Sequence, residues 1–472
     1  MNLSKFISAF LLLSFSFISF SQAEQLEISN PNVKHDHCEQ KSVYYIKQRD
    51  IPYVITRPGK YVLKEDIYYK GSQNAITIAA NDVKLDLRNF SITLKNSTAT
   101  GILVSNVSEI VIMSDAIINI SNSSQTGYGI HLVDANKVLL SNIFTENHFD
   151  GLFIENSTDV TILKSQFLNP VNAGAAVSAS TNVIFNGCVF AGSSNNGLLF
   201  SGTNQDCTLI NSDFPDAQFS NLLVQQINGM SVENCSFTNN GGDPGKANLV
   251  QFGDVNTPDQ IVNDLIFKNC TIVNRPSAGG NTAPEGLGLY NVSGALVDSC
   301  IVDIDNTGQP QEIDLSSIHI GNGTGVQIGT NIIIRNTISK GPATDGYYPD
   351  IGSTNIVIDT CLASNALKDG IFLAGTSASV VQNCTVVNNG TNGIFLGEVS
   401  SDNAVINNVV IQNGFNIITP ITDPSLPPTG TGIGIASDSF SNLIQNNQVF
   451  DNAVMNIQDN GIGNMLIDNT VF

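Results

Sequence analysis

Short apolar runs separated by glycine and asparagine recur along most of the chain. The clearest copy is DGIFLAGTSASVVQNCTVVNN, from Asp369 to Asn389, where a Gly-aliphatic-x-aliphatic run is followed by a Ser/Asn turn, a second apolar run and an Asn-Asn corner. Each run has only three to five residues and alternates with a period of two, as in Ile371 and Leu373. This pattern predicts short β-strands rather than helices.

Near-copies of this unit follow one another at steps of about 22 to 39 residues, and about fifteen of them align on the position of Cys384. In the last copies the alignment takes Val409, Gln448 and Thr470 as the equivalents of Cys384. A unit this small cannot bury its own apolar face, so the repeat indicates stacked coils that share one continuous core. The residues available fit three short strands per coil, each paired in parallel with its equivalent in the next coil.

From about Gly59 to Phe472 the chain resembles the right-handed parallel β-helix of the pectate-lyase-like superfamily. The resemblance is carried by the units GILVSNVSEIVIMSD, GIHLVDANKVLLSN, GLFIENSTDVTILKS, GIFLAGTSASVVQNC and GIFLGEVSSDNAVINN and by the opening run PGKYVLKEDI. We therefore predict an all-β fold over residues 59–472, a single-stranded right-handed parallel β-helix (solenoid) of roughly 15 coils. A solenoid grows without adding domains, so the length of 472 residues does not imply several of them.

Asparagine and cysteine recur at fixed positions of the unit. Repeated asparagines such as Asn234, Asn269 and Asn383 suit tight corners, because asparagine tolerates left-handed backbone angles, and stacked amides can form a ladder. Eight cysteines in an exported chain would ordinarily suggest disulfides. Six of them instead share one repeat position, where parallel side chains point alongside each other, so we predict a core stack of free thiols. These six are Cys188, Cys235, Cys270, Cys300, Cys361 and Cys384.

The chain begins with a lone Lys5, an apolar run from Phe6 to Phe20 and the small-residue segment Ser21-Gln22-Ala23. We predict a signal peptide over residues 1–23, followed by an irregular leader and N-terminal cap over residues 24–58. The protein would then be secreted, or held at the cell surface or in the periplasm. No later apolar stretch is long enough to span a bilayer, so no transmembrane segment is expected after removal of the signal.

The chain is acidic, with a net charge of −21 and a pI near 4.4. Nucleic acid is therefore not an expected partner, because its phosphates require lysine and arginine. An acidic surface attracts cations and repels polyuronates unless calcium intervenes. Calcium is the cofactor we predict for a uronate-active protein, and no other is indicated.

Long insertions interrupt the regular spacing in the second half of the chain. They mostly fall between the Asn-Asn corner and the next Gly-aliphatic strand, so they are expected to stack on one side of the solenoid, where binding sites are usually built. In the coil between Cys300 and Thr337 either SIHI or GVQI could be the first strand. The predicted insertions cover about 240–262, 274–285, 305–330, 340–352 and 415–431.

Side chains that face outward from the Gly-x-x-x strand form a column that includes His131, Phe153, His319, Phe372 and Phe395. We predict Phe153, Phe372 and Phe395 as binding residues, together with Tyr348 and Arg275 from neighbouring insertions, because aromatic rings stack on sugar rings or on a partner's surface. The alternative is that inserted loops or the leader fold over this column.

Members of the resembled superfamily that act on uronates remove a proton beside a carboxylate, which must be neutralised by calcium, arginine or lysine. The paired-acid signature of its hydrolases is absent here. The insertion-bearing coils offer four candidate catalytic residues, His319, Tyr347, Arg335 and Asp350. They also offer three candidate metal ligands, Glu285, Asp314 and Asp345. Each could equally be a surface residue, a turn residue or a loop anchor.

A second short segment, His148-Phe149-Asp150-Gly151, is similar in part to the acid-and-histidine motif of alginate epimerases. The Tyr-Gly pair that precedes that motif is absent and the residue order differs. The similarity therefore extends to Asp150 alone.

Two hypotheses follow. The first is an exported β-helix protein that binds an extracellular polysaccharide or a host or surface glycan, and whose catalytic form would be a uronate lyase or epimerase. The second is a non-catalytic secreted or surface protein, an adhesin-like or structural β-helix, that needs only the scaffold and its outward aromatic residues. The sequence leaves the substrate and the existence of catalysis open, because one fold hosts many activities.

Overall fold

The computed structural model describes residues 42–96, 98–114, 120–122, 126–239, 248–253, 257, 260–275, 285–305, 316–321, 328–415 and 430–472. In these ranges the alternating apolar runs form short parallel strands, and the helical element is one 3-10 turn, Gln48–Asp50. The predicted signal peptide and the first part of the predicted leader lie outside the described residues. None of the helical structure described here is long and apolar enough to cross a membrane.

Each coil contributes one strand to each of three parallel sheets. The first sheet consists of Tyr53–Ile55, Ile76–Ile78, Ile102–Ser105, Ile130–Val133, Asp150–Glu155, Ala173–Ser178, Asn196–Ser201, Ser220–Val224, Asn248–Phe252, Glu285–Leu289, Ile318–Ile320, Tyr347–Pro349, Ile371–Ala374, Ile394–Gly397, Thr431–Ile435 and Met455–Asp459. The second sheet consists of Val43–Ile46, Gly59–Leu63, Val83–Arg88, Ser108–Ser114, Asn136–Ser141, Thr158–Leu163, Thr181–Asn186, Asn204–Ile210, Ile227–Glu233, Val262–Lys268, Val292–Asp298, Thr330–Arg335, Thr354–Asp359, Val380–Gln382, Ala404–Ile406, Leu443–Gln445 and Met465–Ile467. The third sheet consists of Ile67–Tyr69, Ile92–Leu94, Ile120–Asn122, Phe144–Glu146, Gln166–Leu168, Val189–Ala191, Asp213–Pro215, Ser236–Asn239, Thr271–Asn274, Ile301–Ile304, Ile338–Lys340, Leu362–Ser364, Thr385–Val387, Val409–Ile411, Gln448–Phe450 and Thr470–Val471.

This arrangement is the predicted all-β solenoid, a right-handed parallel β-helix. Its paired strands begin before residue 59, because Val43–Ile46 pairs in parallel with Gly59–Leu63 and Tyr53–Ile55 pairs with Ile76–Ile78. The coil whose register was open takes SIHI as its first-sheet strand, since His319 lies opposite Gly288. Register between coils therefore decides which side chains become neighbours.

The core lies between the three sheets and is filled by alternate residues of each strand. Phenylalanines of the third sheet form an internal ladder, in which the ring centroids of Phe190 and Phe214 are 4.7 Å apart and those of Phe214 and Phe237 are 4.8 Å apart. Such offset stacking adds to the gain from burial. Cys188, Cys235, Cys270, Cys300, Cys361 and Cys384 are free and buried, which confirms the predicted stack of core thiols. Cys207, on a second-sheet strand, is also free and buried.

The asparagine corners are also confirmed. Asn234, Asn269 and Asn383 have φ values of 54°, 52° and 55°, in the left-handed region that asparagine tolerates better than most residues. The side-chain amide of Asn269 donates to Oδ1 of Asn234 over 3.3 Å, so stacked corners are joined by a ladder of amides. The same ladder continues from Asn234 to Asn211 over 3.3 Å.

The sequence alignment of the last coils is wrong by one residue. In the third sheet Thr385 lies opposite Val409, which makes Asn408 rather than Val409 the equivalent of Cys384. The alignment failed here because Asn408 turns inward and an amide takes the place of the thiol. Its Oδ1 accepts from the backbone N–H of Cys384 over 2.9 Å, and its Nδ2 donates to the carbonyl of Val381 over 3.0 Å. In the next two coils the equivalents of Cys384 are Asn447 and Asn469, rather than Gln448 and Thr470.

Candidate functional site

The outer face of the first sheet carries four rings in successive coils, which we call the ring column: His319, Tyr348, Phe372 and Phe395. The ring centroids of His319 and Tyr348 are 4.8 Å apart, those of Tyr348 and Phe372 5.2 Å, and those of Phe372 and Phe395 5.0 Å. The spacing follows from in-register parallel strands, which lie about 4.8 Å apart. Phe372 is partly exposed, whereas the other three rings are buried.

A group of polar side chains surrounds the first ring of this column, and we call Glu285, Tyr290, His319 and Asp350 the acid–imidazole cluster. Nδ1 of His319 lies 2.8 Å from Oε1 of Glu285, and Nε2 of His319 lies 3.3 Å from Oδ2 of Asp350. The hydroxyl of Tyr290 donates to Oε2 of Glu285. His319 is thus held between two carboxylates that come from the coils on either side.

The cluster extends into its neighbours through further hydrogen bonds. The hydroxyl of Tyr348 donates to Oδ1 of Asp350 over 3.3 Å, and the same oxygen accepts from the backbone N–H of Ile351 over 2.7 Å. Nδ2 of Asn248 donates to the hydroxyl of Tyr290 over 3.1 Å. Both carboxylates therefore have fixed orientations around the imidazole.

The charge state of the cluster follows from its surroundings. Burial by itself opposes a charge on His319, but the charges and hydrogen bonds of Glu285 and Asp350 outweigh it and raise the pKa of His319 to about 10. Burial, followed by the charge of Glu285, raises the pKa of Tyr290 well above its ordinary value. At neutral pH the cluster holds an imidazolium and a protonated tyrosine hydroxyl.

Other predicted residues lie elsewhere. Tyr347 points into the core, is fully buried and donates its hydroxyl to the carbonyl of Thr337 over 2.8 Å. Asp345 is also buried, and its Oδ1 accepts from the backbone N–H of Asp369 over 2.9 Å, as expected of a corner residue. Neither side chain joins the cluster, because strand alternation sends Tyr347 and Tyr348 to opposite faces. Asp314 lies outside the described residues.

The two predicted arginines lie on other sheets. Arg335 ends a second-sheet strand, and its Nη2 lies 2.9 Å from Oδ2 of Asp298 in the adjacent coil. Arg275 follows a third-sheet strand, with Nη2 2.6 Å from Oδ2 of Asp303. Both bridge neighbouring coils rather than face the ring column, so the structure does not bring either of them to His319. Phe153 lies on the outer face of the first sheet, in a separate group of rings.

The sequence did not reveal Tyr290, a member of the cluster, or Asn248, which donates a hydrogen bond to it. The signal in the sequence that could have revealed them is Gly288, which occupies the outward position of its strand opposite His319. A Cβ at Gly288 would lie 2.6 Å from Cε2 of Tyr290 and 2.6 Å from Nδ2 of Asn248. Glycine at this point of the column therefore leaves the space that these two side chains fill.

The predicted insertions flank this face. The insertions at 274–285 and 415–431 lead into first-sheet strands, and those at 240–262 and 305–330 contain the first-sheet strands Asn248–Phe252 and Ile318–Ile320. The insertion at 340–352 contains Tyr348 and Asp350. The other four insertions extend beyond the described residues. Within the described ranges no group of three or more His, Cys, Asp or Glu side chains is arranged to hold a metal ion. The calcium site stays a prediction.

The sequence matches the family model described as "Right handed beta helix region" over residues 64–214 and 286–471, more than half of the chain. No curated protein matches the sequence. Among solved structures, a double mutant of the tailspike protein of E. coli bacteriophage HK620 has a TM-score of 0.41 and 11% identity, covering 87% of this chain and 72% of that chain. The mannuronan C-5 epimerase AlgE6 A-module of Azotobacter vinelandii has a TM-score of 0.35 and 9% identity, covering 88% and 91%.

Tailspike protein 3 of bacteriophage CBA120 has a TM-score of 0.36 and 11% identity, and the alignment covers 87% of this chain but 56% of that tailspike. Similarity at this level concerns the fold alone. The family match covers the coils from the first half of the solenoid and those that carry the ring column. The chain belongs to the right-handed β-helix family.

Proposed function

We propose that this chain binds a polysaccharide on the outer face of the first sheet, at the ring column and the acid–imidazole cluster. The observation that carries the proposal is the unbroken series Phe395, Phe372, Tyr348 and His319 on one face, ending beside two carboxylates. Aromatic rings offer flat apolar area to sugar rings, and convergent polar groups fix the ligand's orientation. The partly exposed Phe372 is the ring that a polymer meets first.

The names of some solved structures of this fold mention saccharides. The HK620 tailspike has been crystallised with a pentasaccharide, and the Azotobacter vinelandii enzyme is named for mannuronan. These proteins share only the fold with this chain. The proposal therefore depends on the residues of the ring column and not on those ligands.

The catalytic form of the proposal is a uronate lyase or epimerase reaction at the cluster. Such a reaction removes a proton beside a carboxylate. Asp350 would accept that proton, the imidazolium of His319 would lie near the substrate carboxylate, and the hydroxyl of Tyr290 or Tyr348 would return a proton. Tyr347 and Arg335 have no part in this scheme because they lie on other faces. His319 is 8% exposed and Asp350 3%, so the reaction requires the cluster to open, whereas binding at Phe372 does not.

A non-catalytic surface role is the second candidate, and the same burial favours it. His319 pairs with both Glu285 and Asp350, which is also the behaviour of a buried structural ion network. In that case the ring column binds the glycan and the cluster only holds the adjacent coils in register.

A glycan screen with matched variants tests both candidates. The mature protein and the variants Phe372→Ala and Phe395→Ala are assayed by calorimetry against neutral, amino-sugar and uronate polysaccharides, with and without calcium. Phe440→Ala is the control, because Phe440 is 40% exposed and lies outside the first sheet. We expect Phe372→Ala to weaken binding by about tenfold, as for loss of one stacked ring.

The same samples report on catalysis. Ultraviolet absorbance follows the unsaturated product of a lyase, and NMR of the recovered polymer follows epimerisation. Turnover that disappears in Asp350→Asn supports the enzyme. Binding without turnover supports the surface role, and undiminished binding of every glycan by Phe372→Ala and Phe395→Ala would remove the ring column as the binding site.

A further inference from the structure

A second group of rings lies on the outer face of the first sheet, and we call Tyr128, His131, Phe149 and Phe153 the aromatic patch. The ring centroid of Tyr128 is 5.0 Å from that of His131, 5.3 Å from that of Phe153 and 6.4 Å from that of Phe149, while His131 and Phe153 are 4.9 Å apart. All four are partly exposed. Tyr128 is the centre of the group and touches the other three rings.

The aromatic patch is separate from the ring column. Phe153 belongs to the strand Asp150–Glu155, and five first-sheet strands lie between it and the strand that carries His319. With neighbouring strands about 4.8 Å apart, the two groups are roughly 30 Å from each other. The smaller Ala176 and Leu199 follow Phe153 at the same register position, so the series of rings is interrupted.

Two carboxylates adjoin the patch. Oε2 of Glu155 lies 3.5 Å from Nε2 of His131, and the Glu155 side chain is 40% exposed. Asp150 is buried, and its Oδ1 accepts from Nδ2 of Asn172 over 2.8 Å and from the backbone N–H of Ala173 over 2.9 Å. Burial raises the pKa of Tyr128, and the nearby charges of Asp150 and Glu155 raise it further.

Nothing described at this place neutralises those acids. Burial outweighs the effect of Glu155 and lowers the pKa of His131, so the ring is uncharged at neutral pH. In the described part of the chain no lysine or arginine forms an ion pair with Asp150 or Glu155. The chain as a whole carries a net charge of −21. The patch is therefore both aromatic and anionic.

We propose that the aromatic patch, with Glu155 and Asp150, binds an ammonium group. A cation is attracted to the electron-rich faces of tyrosine and phenylalanine within about 6 Å of the ring centroid, and adjacent carboxylates supply the opposite charge. Uronates and phosphates are repelled by the same two acids. The ammonium group has two sources, a small organic cation or the protonated amino sugars of a polysaccharide.

The test compares choline with its neutral isostere, in which carbon replaces the ammonium nitrogen. Saturation-transfer NMR detects weak binding to the intact protein, and titration gives the affinity. We expect choline to bind about tenfold more tightly than the isostere, and to bind less tightly at high salt, which screens the carboxylates. Choline that binds measurably but no more tightly than the isostere, or a choline signal insensitive to salt, would overturn the proposal.

Variants locate the site. Phe153→Leu and Glu155→Gln should each weaken choline binding by about three- to tenfold, since each removes one attractive element. Phe440→Leu, away from the patch, is the matched control. Circular dichroism verifies folding, and the comparison of choline with its isostere in the unaltered protein stands even if a variant fails to fold. Unchanged affinity in folded Phe153→Leu and Glu155→Gln would place the cation elsewhere and defeat the proposal.

A second pair of probes separates the two sources. A glucosamine oligosaccharide carries ammonium groups, whereas its N-acetylated counterpart is neutral. Preference for the charged oligosaccharide over choline assigns the patch to amino sugars, and preference for choline assigns it to small cations. Binding of neither charged probe would overturn the proposal. The result of this comparison does not depend on the proposed polysaccharide site at the ring column, which the variant Phe372→Ala tests separately.

Discussion

Nδ1 of His319 lies 2.8 Å from Oε1 of Glu285, although the two residues are 34 positions apart in the chain. They meet because one turn of the solenoid places the strands Glu285–Leu289 and Ile318–Ile320 side by side, with His319 opposite Gly288. The pairing is closed by Asp350 on the other side of the ring. Removal of His319 therefore leaves two buried carboxylates without the cation that they share.

We expect His319→Gln to lower the free energy of unfolding by about 3–5 kcal/mol, because Glu285 and Asp350 would lose the cation that separates them. Denaturant unfolding followed by circular dichroism measures the change. Lys137→Gln is the control, since Lys137 pairs with Glu109 on the surface over 2.8 Å and its loss should leave stability unchanged within error. A variant at His319 as stable as the natural protein would show that the cluster contributes nothing to folding.

Stability should fall at alkaline pH. The folded-state pKa of His319, about 10, lies above the ordinary value of 6.5, so the folded protein holds its proton more tightly than the unfolded chain. The contribution is fully present below pH 6.5 and is lost as pH rises through about 10. In that window the free energy of unfolding should decline by up to about 1.4 kcal/mol per pH unit. Unfolding curves at a series of pH values should show this decline in the natural protein and a shallower one in His319→Gln.

Asp150 should give a separate effect at acidic pH. Burial raises its pKa to about 6 from 3.8, despite its hydrogen bonds to Asn172 and Ala173. The folded state therefore retains a proton that the unfolded chain releases, and stability should fall as pH rises from about 4 to 6. Asp150→Asn should remove that slope, because an amide stays neutral and its Oδ1 can still accept both bonds. If Asp150→Asn shows the same decline of stability with pH, another titratable group is responsible for that decline.

The inward asparagines of the last coils should be structurally essential. Asn408→Ala removes the acceptor for the N–H of Cys384 and the donor to the carbonyl of Val381, both buried. Buried backbone groups without partners cost about 1–3 kcal/mol each, so we expect a loss of about 2–5 kcal/mol in denaturant unfolding. Asn388→Ala is the comparison, because Asn388 forms an exposed ladder bond to Asn365 and should matter far less. Equal losses in the two variants would contradict the distinction between inner and outer ladders.

The core thiols should tolerate serine. Ser212 occupies the position equivalent to Cys235, where its hydroxyl donates to the carbonyl of Ile210 over 2.9 Å and accepts from the N–H of Cys188 over 3.1 Å. Cys235→Ser should therefore change the free energy of unfolding by no more than about 1.5 kcal/mol, whereas Cys235→Leu should overpack the core and cost about 1–3 kcal/mol or more.

Reactivity of the thiols supplies an independent measurement. Burial raises the pKa of Cys188 to about 11 and that of Cys207 to about 12, and the thiolate is the reactive form. Mass spectrometry after treatment with iodoacetamide should find both cysteines unmodified in the native protein and alkylated in denaturant. Rapid alkylation under native conditions would show that the core opens locally.

The solenoid could be predicted from the amino-acid sequence alone, because each of its elements is local. A two-residue period in runs such as Ile371 and Leu373 is sufficient for a strand, asparagine at Asn269 is sufficient for a left-handed corner, and repetition requires stacking. The column of cysteines followed from the same repeat. These properties depend on residues that are neighbours in the chain.

Which candidate residues lie together depends on the pairing of the coils, which the sequence did not show. Adjacent Tyr347 and Tyr348 took opposite faces, Arg335 paired with Asp298 on another sheet, and Tyr290 entered the cluster although no motif marked it. Contacts between coils depend on register, and register depends on how many residues each corner and insertion contains before the next strand pairs. A shift of one residue exchanges inside for outside, as Asn408 and Val409 show. Local composition does not determine the register between coils, whereas backbone pairing and burial over the whole stack do.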